Sequence, residues 1–175
     1  MELVLVERRF EQPVIFEDIQ KQERAQSWCL DAYHVRFLKT FLSKDRRRML
    51  CLYEAPDAEA VRRTQEQAKV PFEHAWTCQN VKSPEGSLDT SRKEYVVVER
   101  VLAEPVSSEV LSSALRSSRG CLELYRASHL ESFLERDGLK IVCIFRAPDA
   151  EAVRTANAQL GAINADTWTA SVHTS

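Results

Sequence analysis

Glycine is scarce in this chain, with four residues in 175. A nucleotide-binding loop needs closely spaced glycines to bring backbone N–H groups against phosphate, so that class of site is not expected. The sequence also has no Cys-x-x-Cys, His-x-x-x-His or His-Glu-x-x-His spacing, which argues against a metal site built from sequence neighbours. No nucleophile–histidine–acid pattern or pair of catalytic carboxylates stands out. We therefore predict no catalytic residues and favour a protein that is not an enzyme.

Long apolar runs and an excess of one charge are missing too. The formal net charge is −2, and acidic and basic residues are mixed along the chain, so no basic surface for nucleic acid is predicted. No apolar run approaches the eighteen or so residues of a membrane span. The first residues lack a basic segment followed by a long apolar core. These features predict a cytoplasmic protein with neither a nucleic-acid nor a membrane partner.

What the chain does contain is an internal repeat. The segment Cys51–Arg62 returns as Cys143–Arg154, an offset of 143 − 51 = 92 positions. The same offset places Trp76 on Trp168, and no gap is needed along the register. The chain is therefore a tandem duplication.

Each copy predicts the order strand, helix, strand, strand, helix, strand. The second helix of each copy is predicted to begin at Pro56 or Pro148, where the missing proline N–H costs no hydrogen bond. The last strands are predicted at residues 72–78 and 164–170. This order is the ferredoxin-like split βαβ arrangement.

The predicted fold class is α+β, with ferredoxin-like (βαββαβ) repeats at residues 1–79 and 93–175 and a polar linker at 80–92. The central strands are apolar at successive positions, whereas two helices cover only one face of a four-stranded sheet. We therefore expect the two sheets to pack as an intramolecular pseudo-dimer, as in dimeric α/β barrels. The chain would be a monomer of this kind or a higher homo-oligomer.

Three histidines are candidates for a metal site assembled in space. They are His34, His74 and His129, and none aligns with another at the 92-residue offset. Imidazole suits a borderline divalent cation, and the counterpart of His74 is Asp166, also a competent ligand type. Surface or rim positions without a metal are the alternative for each of the three.

Glu7 and Arg8 end the first strand, and an acid beside a base there could line the mouth of a pocket. Adjacent residues of a strand point to opposite faces, however, so both cannot face one pocket. A structural ion pair or a solvated strand end is the favoured interpretation.

Three motifs together resemble a known family. They are Val-Glu-Arg at the end of the first strand, Phe-Leu-Ser-x-Asp-x-Arg-Arg at Phe41–Arg48, and the repeated segment Cys51–Arg62. The pattern is similar to that of a bacterial family of small ferredoxin-like proteins whose members are called nickel-binding or nickel-responsive. The resemblance implies a fused version of a homodimer and Ni²⁺ as the cofactor.

Three functions are compatible with these observations. The first is non-enzymatic binding of nickel or a similar divalent ion through His34, His74 or His129. The second is a small-molecule binder or enzyme in which divergence between the copies leaves one pocket. The third is a structural or regulatory module. A charged cavity with His34 or His74 would favour the metal, and an apolar cavity with Trp28, Tyr53 or Trp76 an organic ligand.

Overall fold

The computed structural model describes residues 1–89, 91–162 and 164–175. The first repeat contains β1 (Glu2–Arg9), α1 (Phe16–Arg24), α2 (Ser27–Ala32), β2 (Arg36–Ser43), β3 (Arg48–Ala55), α3 (Ala58–Ala68) and β4 (His74–Lys82). The second contains β5 (Tyr95–Val101), α4 (Ser108–Leu124), β6 (Ser128–Glu135), β7 (Lys140–Arg146), α5 (Ala150–Gln159) and β8 (Ala165–Thr174). The predicted element order is confirmed in both repeats, with the first helical segment of repeat 1 divided into α1 and α2. Among the helices in these ranges, none is long and apolar enough to cross a membrane.

The helices α3 and α5 begin in the same way, two residues after the predicted prolines. Asp57 accepts a hydrogen bond from the Ala60 N–H at 2.7 Å, and Asp149 accepts one from the Ala152 N–H at 2.8 Å. These aspartates are therefore the N-caps, and their charge also favours the positive end of each helix. The start predicted at the prolines was wrong, because the aspartate side chain satisfies the first free N–H groups.

The chain forms two compact units, of which the first comprises Met1–Cys78 and Ser171–Ser175. Here β1 lies between β3 and β4, and β3 also pairs with β2, all antiparallel. The helices cover a core that includes Val6, Tyr53 and Val61. The end of β8 belongs to this unit, where the imidazole of His173 stacks on Phe16 at 4.5 Å between ring centroids.

The second unit comprises Gln79–Ala170. In it, β5 lies between β7 and β8, and β7 also pairs with β6, all antiparallel. Its core includes Val98, Phe145, Val153 and Ala156. The end of β4 belongs to this unit, so each unit receives the end of one strand that begins in the other repeat.

A bulge interrupts the same place in both repeats. The pairing of β2 with β3 shifts between Phe37 and Lys39, and that of β6 with β7 shifts between His129 and Glu131. A bulge redirects the side chains beside it and is common near functional sites. It sets the direction of Phe37 in the first repeat and of His129 in the second.

The predicted fold class, two ferredoxin-like (βαββαβ) repeats with separate sheets packed as a pseudo-dimer, is wrong. The eight strands hydrogen-bond in one closed antiparallel barrel, in the order β1-β3-β2-β8-β5-β7-β6-β4. The reason is that β4 and β8 extend past residues 78 and 170, where the sequence predicted them to end. Their extensions pair with β6 and β2, which would otherwise be open edges with unsatisfied backbone groups. The predicted linker therefore begins inside a strand. The predicted domain bounds, 1–79 and 93–175, stay a prediction.

Candidate functional site

A pocket of about 300 Å³ lies in the second unit, between α4 and the beginning of β6. The cap of α4 fixes its start, because the Ser107 hydroxyl accepts a hydrogen bond from the Val110 N–H at 3.2 Å. Residues three or four positions apart share one face of a helix, and that face of α4 lines the pocket. Its members are Ser112, Leu115, Arg116, Arg119, Leu122 and Glu123.

The opposite wall is the chain at residues 81–85, where β4 ends and the connection to the second repeat begins. The Ser83 N–H donates to the Leu130 carbonyl at 2.8 Å, which extends the pairing beyond β4. Glu85 forms an ion pair with Arg119 of α4. A segment that the sequence presented as a plain linker therefore encloses the pocket.

His129 lines the same pocket, although its side chain is mostly covered, with 9% exposure. Its Nε2 atom lies 2.7 Å from the Ser132 hydroxyl, which in turn donates to the Cys143 sulfur at 3.0 Å. The ring packs edge-on against Phe145 at 5.6 Å between centroids. These contacts hold the imidazole in one position.

Burial keeps His129 and Cys143 uncharged at neutral pH. It lowers the pKa of His129 to about 4, even though the Glu131 backbone and carboxylate favour the charged form. Burial also raises the pKa of the Cys143 thiol to about 11. At neutral pH the pocket therefore has a neutral imidazole, and the thiol behind it is not a nucleophilic thiolate.

In the first unit, the space beside the residues that match Ser112, Leu115 and His129 is almost filled. A cavity of about 10 Å³ remains beside Phe16, Glu23 and Tyr53, which is room for one water molecule at most. The difference follows the 92-residue register, since Gln20 and Glu23 of α1 correspond to Ser112 and Leu115 of α4. At these three positions the space is thus filled in the first repeat and open in the second.

A buried polar cluster occupies that place in the first unit. One amino group of Arg8 (Nη2) donates to Glu23 at 3.2 Å, to the Tyr53 oxygen at 3.2 Å and to Gln65 at 2.5 Å. The other (Nη1) donates to the Pro71 carbonyl at 3.0 Å. The Tyr53 hydroxyl donates to Glu23. The side chain of Arg8 is fully buried, so this cluster closes the space that a ligand would need.

Electrostatics keep Arg8 charged in spite of its burial. Burial alone would lower the pKa of its guanidinium, but Cys51, Tyr53 and Glu23 together raise that pKa above its ordinary value. The pKa of Tyr53 is raised well above its usual range by burial and by the neighbouring Glu23. The prediction that Glu7 and Arg8 face opposite sides is confirmed, since Glu7 instead accepts from the Trp76 indole at 3.2 Å.

The comparison with protein families decides where the chain belongs. The family model described as nickel responsive protein SCO4226-like matches residues 5–77 and again residues 95–167. The chain belongs to the SCO4226-like family. The two matches also confirm the tandem duplication that the 92-residue register predicts. No curated protein sequence matches this member of the family.

Three solved structures are similar to this SCO4226-like chain at low sequence identity. A putative chlorite dismutase is 12% identical, with 99% of this chain and 96% of that chain covered and a TM-score of 0.53. An anthrone oxidase-like protein is 13% identical, with 98% and 91% covered and a TM-score of 0.48. A putative monooxygenase from Fusobacterium nucleatum subsp. nucleatum is 8% identical, with 98% and 92% covered and a TM-score of 0.47. The first of these supports the fold alone.

The description of the SCO4226-like family names nickel, so the positions of the three candidate ligand residues are of interest. His34 is exposed in the turn before β2, His74 is exposed at the start of β4, and His129 is buried in the second unit. Across residues 1–89, 91–162 and 164–175, no three His, Cys, Asp or Glu side chains are grouped to hold a metal ion. The structure therefore does not bring the three histidines together as one ligand set. Their role as ligands stays a prediction.

Sequence reasoning missed most of the pocket in this family member. It named His129 as a metal ligand but gave no role to Ser112, Arg116 or Arg119, and it treated residues 83–85 as a linker. The signal that could have found the pocket is the register itself, because Phe37, large and apolar, becomes His129, while Gln20 becomes the smaller Ser112. Neither His34 nor His74, nor the aromatic residues expected for an organic ligand, lines it.

The buried His129 predicts a pH dependence of stability. An unfolded chain protonates a histidine near pH 6.5, whereas the folded protein protonates His129 only near pH 4, so the unfolded state binds more protons between these values. The free energy of unfolding should therefore fall as the pH drops from about 6.5 to about 4, by at most about 3 kcal/mol. The variant His129→Phe, which takes the residue of repeat 1, should show a shallower slope in urea unfolding. Equal slopes for the two proteins would contradict the assignment.

Proposed function

We propose that the chain is a small-molecule-binding protein whose ligand occupies the pocket of the second repeat. The observation that carries the proposal is the contrast between about 300 Å³ at this place in repeat 2 and about 10 Å³ in repeat 1. Binding pockets for organic ligands begin at about 300 Å³, so this pocket suits a ligand smaller than most drug-sized molecules.

The neutral forms of His129 and Cys143 support binding without a chemical step. The Ser132 hydroxyl links His129 to Cys143, and both ionisable groups keep their uncharged forms at neutral pH. A general base needs a pKa near the working pH, and a cysteine nucleophile needs its thiolate. His129 therefore suits a hydrogen-bonding wall better than catalysis, and the buried Cys143 behind it does not line the pocket.

The test is an NMR titration of the tag-free chain with 2-naphthamide, a neutral and largely apolar probe. We expect saturable shifts at the amides of Ser112, Leu115 and His129. The matched internal control is the equivalent set in repeat 1, which should stay unchanged because its cavity is filled. Shifts of equal size in both repeats would refute the proposal.

Membership of a nickel-responsive family favours a second candidate, the binding of Ni²⁺ through His34, His74 or His129. A site with one or two protein ligands is compatible with the exposure of His34 and His74. Calorimetric titration of the tag-free chain with NiCl₂ tests it, with His34→Ala and His74→Ala as separate variants. Imidazole binds metal only when unprotonated, so binding should weaken at acid pH. Absence of heat at tens of micromolar, or unchanged binding in both variants, would remove the two exposed histidines as ligands.

A further inference from the structure

We infer that the pocket of the second repeat selects a small organic monoanion, a carboxylate carried by an apolar body. The inference rests on the proposed function and specifies the class of its ligand. It starts from the charged side chains of the lining, which are Lys82, Glu85, Arg116, Arg119 and Glu123.

Both carboxylates of the lining form ion pairs with the same arginine, Arg119. Arg119 forms an ion pair with Glu85 and a second one with Glu123, its Nε lying 3.1 Å from the Glu123 oxygen. Within the parts of the chain that the structure describes, neither Lys82 nor Arg116 forms an ion pair. The charges left for a ligand are therefore both positive.

The total charge of the lining sets the charge of the ligand. The three cations and two carboxylates sum to +1. A ligand with one negative charge makes the net charge of the occupied pocket zero, whereas a dianion would make it negative. A guanidinium presents paired N–H donors that match the two oxygens of a carboxylate, so Arg116 is the residue we assign to the ligand's charge.

The rest of the lining suits an apolar body. Val81, Leu115, Leu122 and Ala127 contribute hydrocarbon surface, and the Ser112 hydroxyl can serve a single polar substituent. Apolar surface that leaves water contributes roughly 25 cal/mol per Å², so the body supplies affinity while the charge supplies selection.

The first repeat offers a matched control. Arg24 occupies the register position of Arg116 and is likewise exposed, but it does not line the small cavity of the first repeat. Lys82 corresponds to Thr174, so the pair of cations exists in the second repeat alone. If the loss of an exposed arginine acted only on its own helix, replacing Arg24 on α1 and Arg116 on α4 should have the same effect on ligand affinity.

The experiment compares three probes of one shape, 2-naphthoate, 2-naphthamide and 2-naphthylmethylammonium, on the full chain by NMR titration. We expect 2-naphthoate to bind about tenfold more tightly than 2-naphthamide, as for a charged hydrogen bond, with the ammonium weakest. The variant Arg116→Met/Lys82→Met should abolish that advantage, so that the anion and the amide bind with equal affinity. Arg24→Met should change neither affinity.

The outcomes separate the inference from the function on which it rests. Equal affinities for the anion and the amide would overturn the inference and leave the binding pocket standing. Tighter binding of 2-naphthyl phosphate than of 2-naphthoate would overturn the assignment of a monoanion. Failure of all the probes to bind would overturn the proposed function together with the inference.

Discussion

Replacing Arg8 with methionine is expected to lower the free energy of unfolding by about 3–5 kcal/mol. Methionine keeps most of the apolar length of the side chain but removes the hydrogen bonds that Arg8 donates to Glu23, Tyr53 and Gln65. The carboxylate of Glu23 is then buried without its cation, which is more costly than the loss of a surface ion pair. Urea unfolding followed by circular dichroism measures the change.

Two further variants give this prediction its controls. The double variant Arg8→Met/Glu23→Leu removes both charges and introduces the residue found at the equivalent Leu115, so it should recover most of the lost stability. Arg100→Met changes the equivalent arginine of repeat 2, where Leu115 and Phe145 stand at the positions of Glu23 and Tyr53. This variant should lower the free energy of unfolding by less than about 1 kcal/mol. If Arg8→Met also costs less than that, or if the double variant is the weaker protein, the cluster does not stabilise the fold as described.

Filling the pocket should have the largest effect on binding. The variant Ser112→Trp places an indole on the face of α4 that lines the pocket. We expect it to weaken binding of 2-naphthamide by more than about tenfold. A loss of that size corresponds to the apolar contact of roughly two buried methylene groups. Affinity is measured by the NMR titration described above.

The control for this variant lies one residue away on the same helix. Ser113 is exposed and is not part of the pocket lining, so Ser113→Trp makes the same chemical change outside the site and should bind like the parent protein. Thermal unfolding of both variants shows whether α4 remains folded. Wild-type affinity in a folded Ser112→Trp protein would place the ligand elsewhere.

The duplication made much of the fold predictable from the sequence. Element order followed from apolar runs and turns that recur 92 residues apart. The ends of β4 and β8 were not predictable in this way. Residues 79–82 and 171–174 are mostly polar, and a local pattern of that kind is shared by linkers and by strands whose partner is distant in sequence.

The site was less predictable than the fold because the properties of its residues depend on burial and on contacts with residues distant in sequence. Nothing in the sequence indicates that Arg8 reaches Glu23 across fifteen positions. His173 gave no signal either, although it stacks on Phe16. His129 was identified as chemically interesting, but a sequence cannot show that its nitrogen already faces Ser132.

The filled cavity of the first repeat also determines the form of the dose–response curve. A homodimer of single repeats would carry two equivalent sites, which permits cooperative uptake. Here one of the two equivalent places is taken by Arg8, Glu23 and Tyr53, so a chain that binds in the other should saturate along a simple hyperbola with a Hill coefficient of about one. Such a protein responds to its ligand in a graded manner over a wide range of concentrations, like a buffer and unlike a threshold switch.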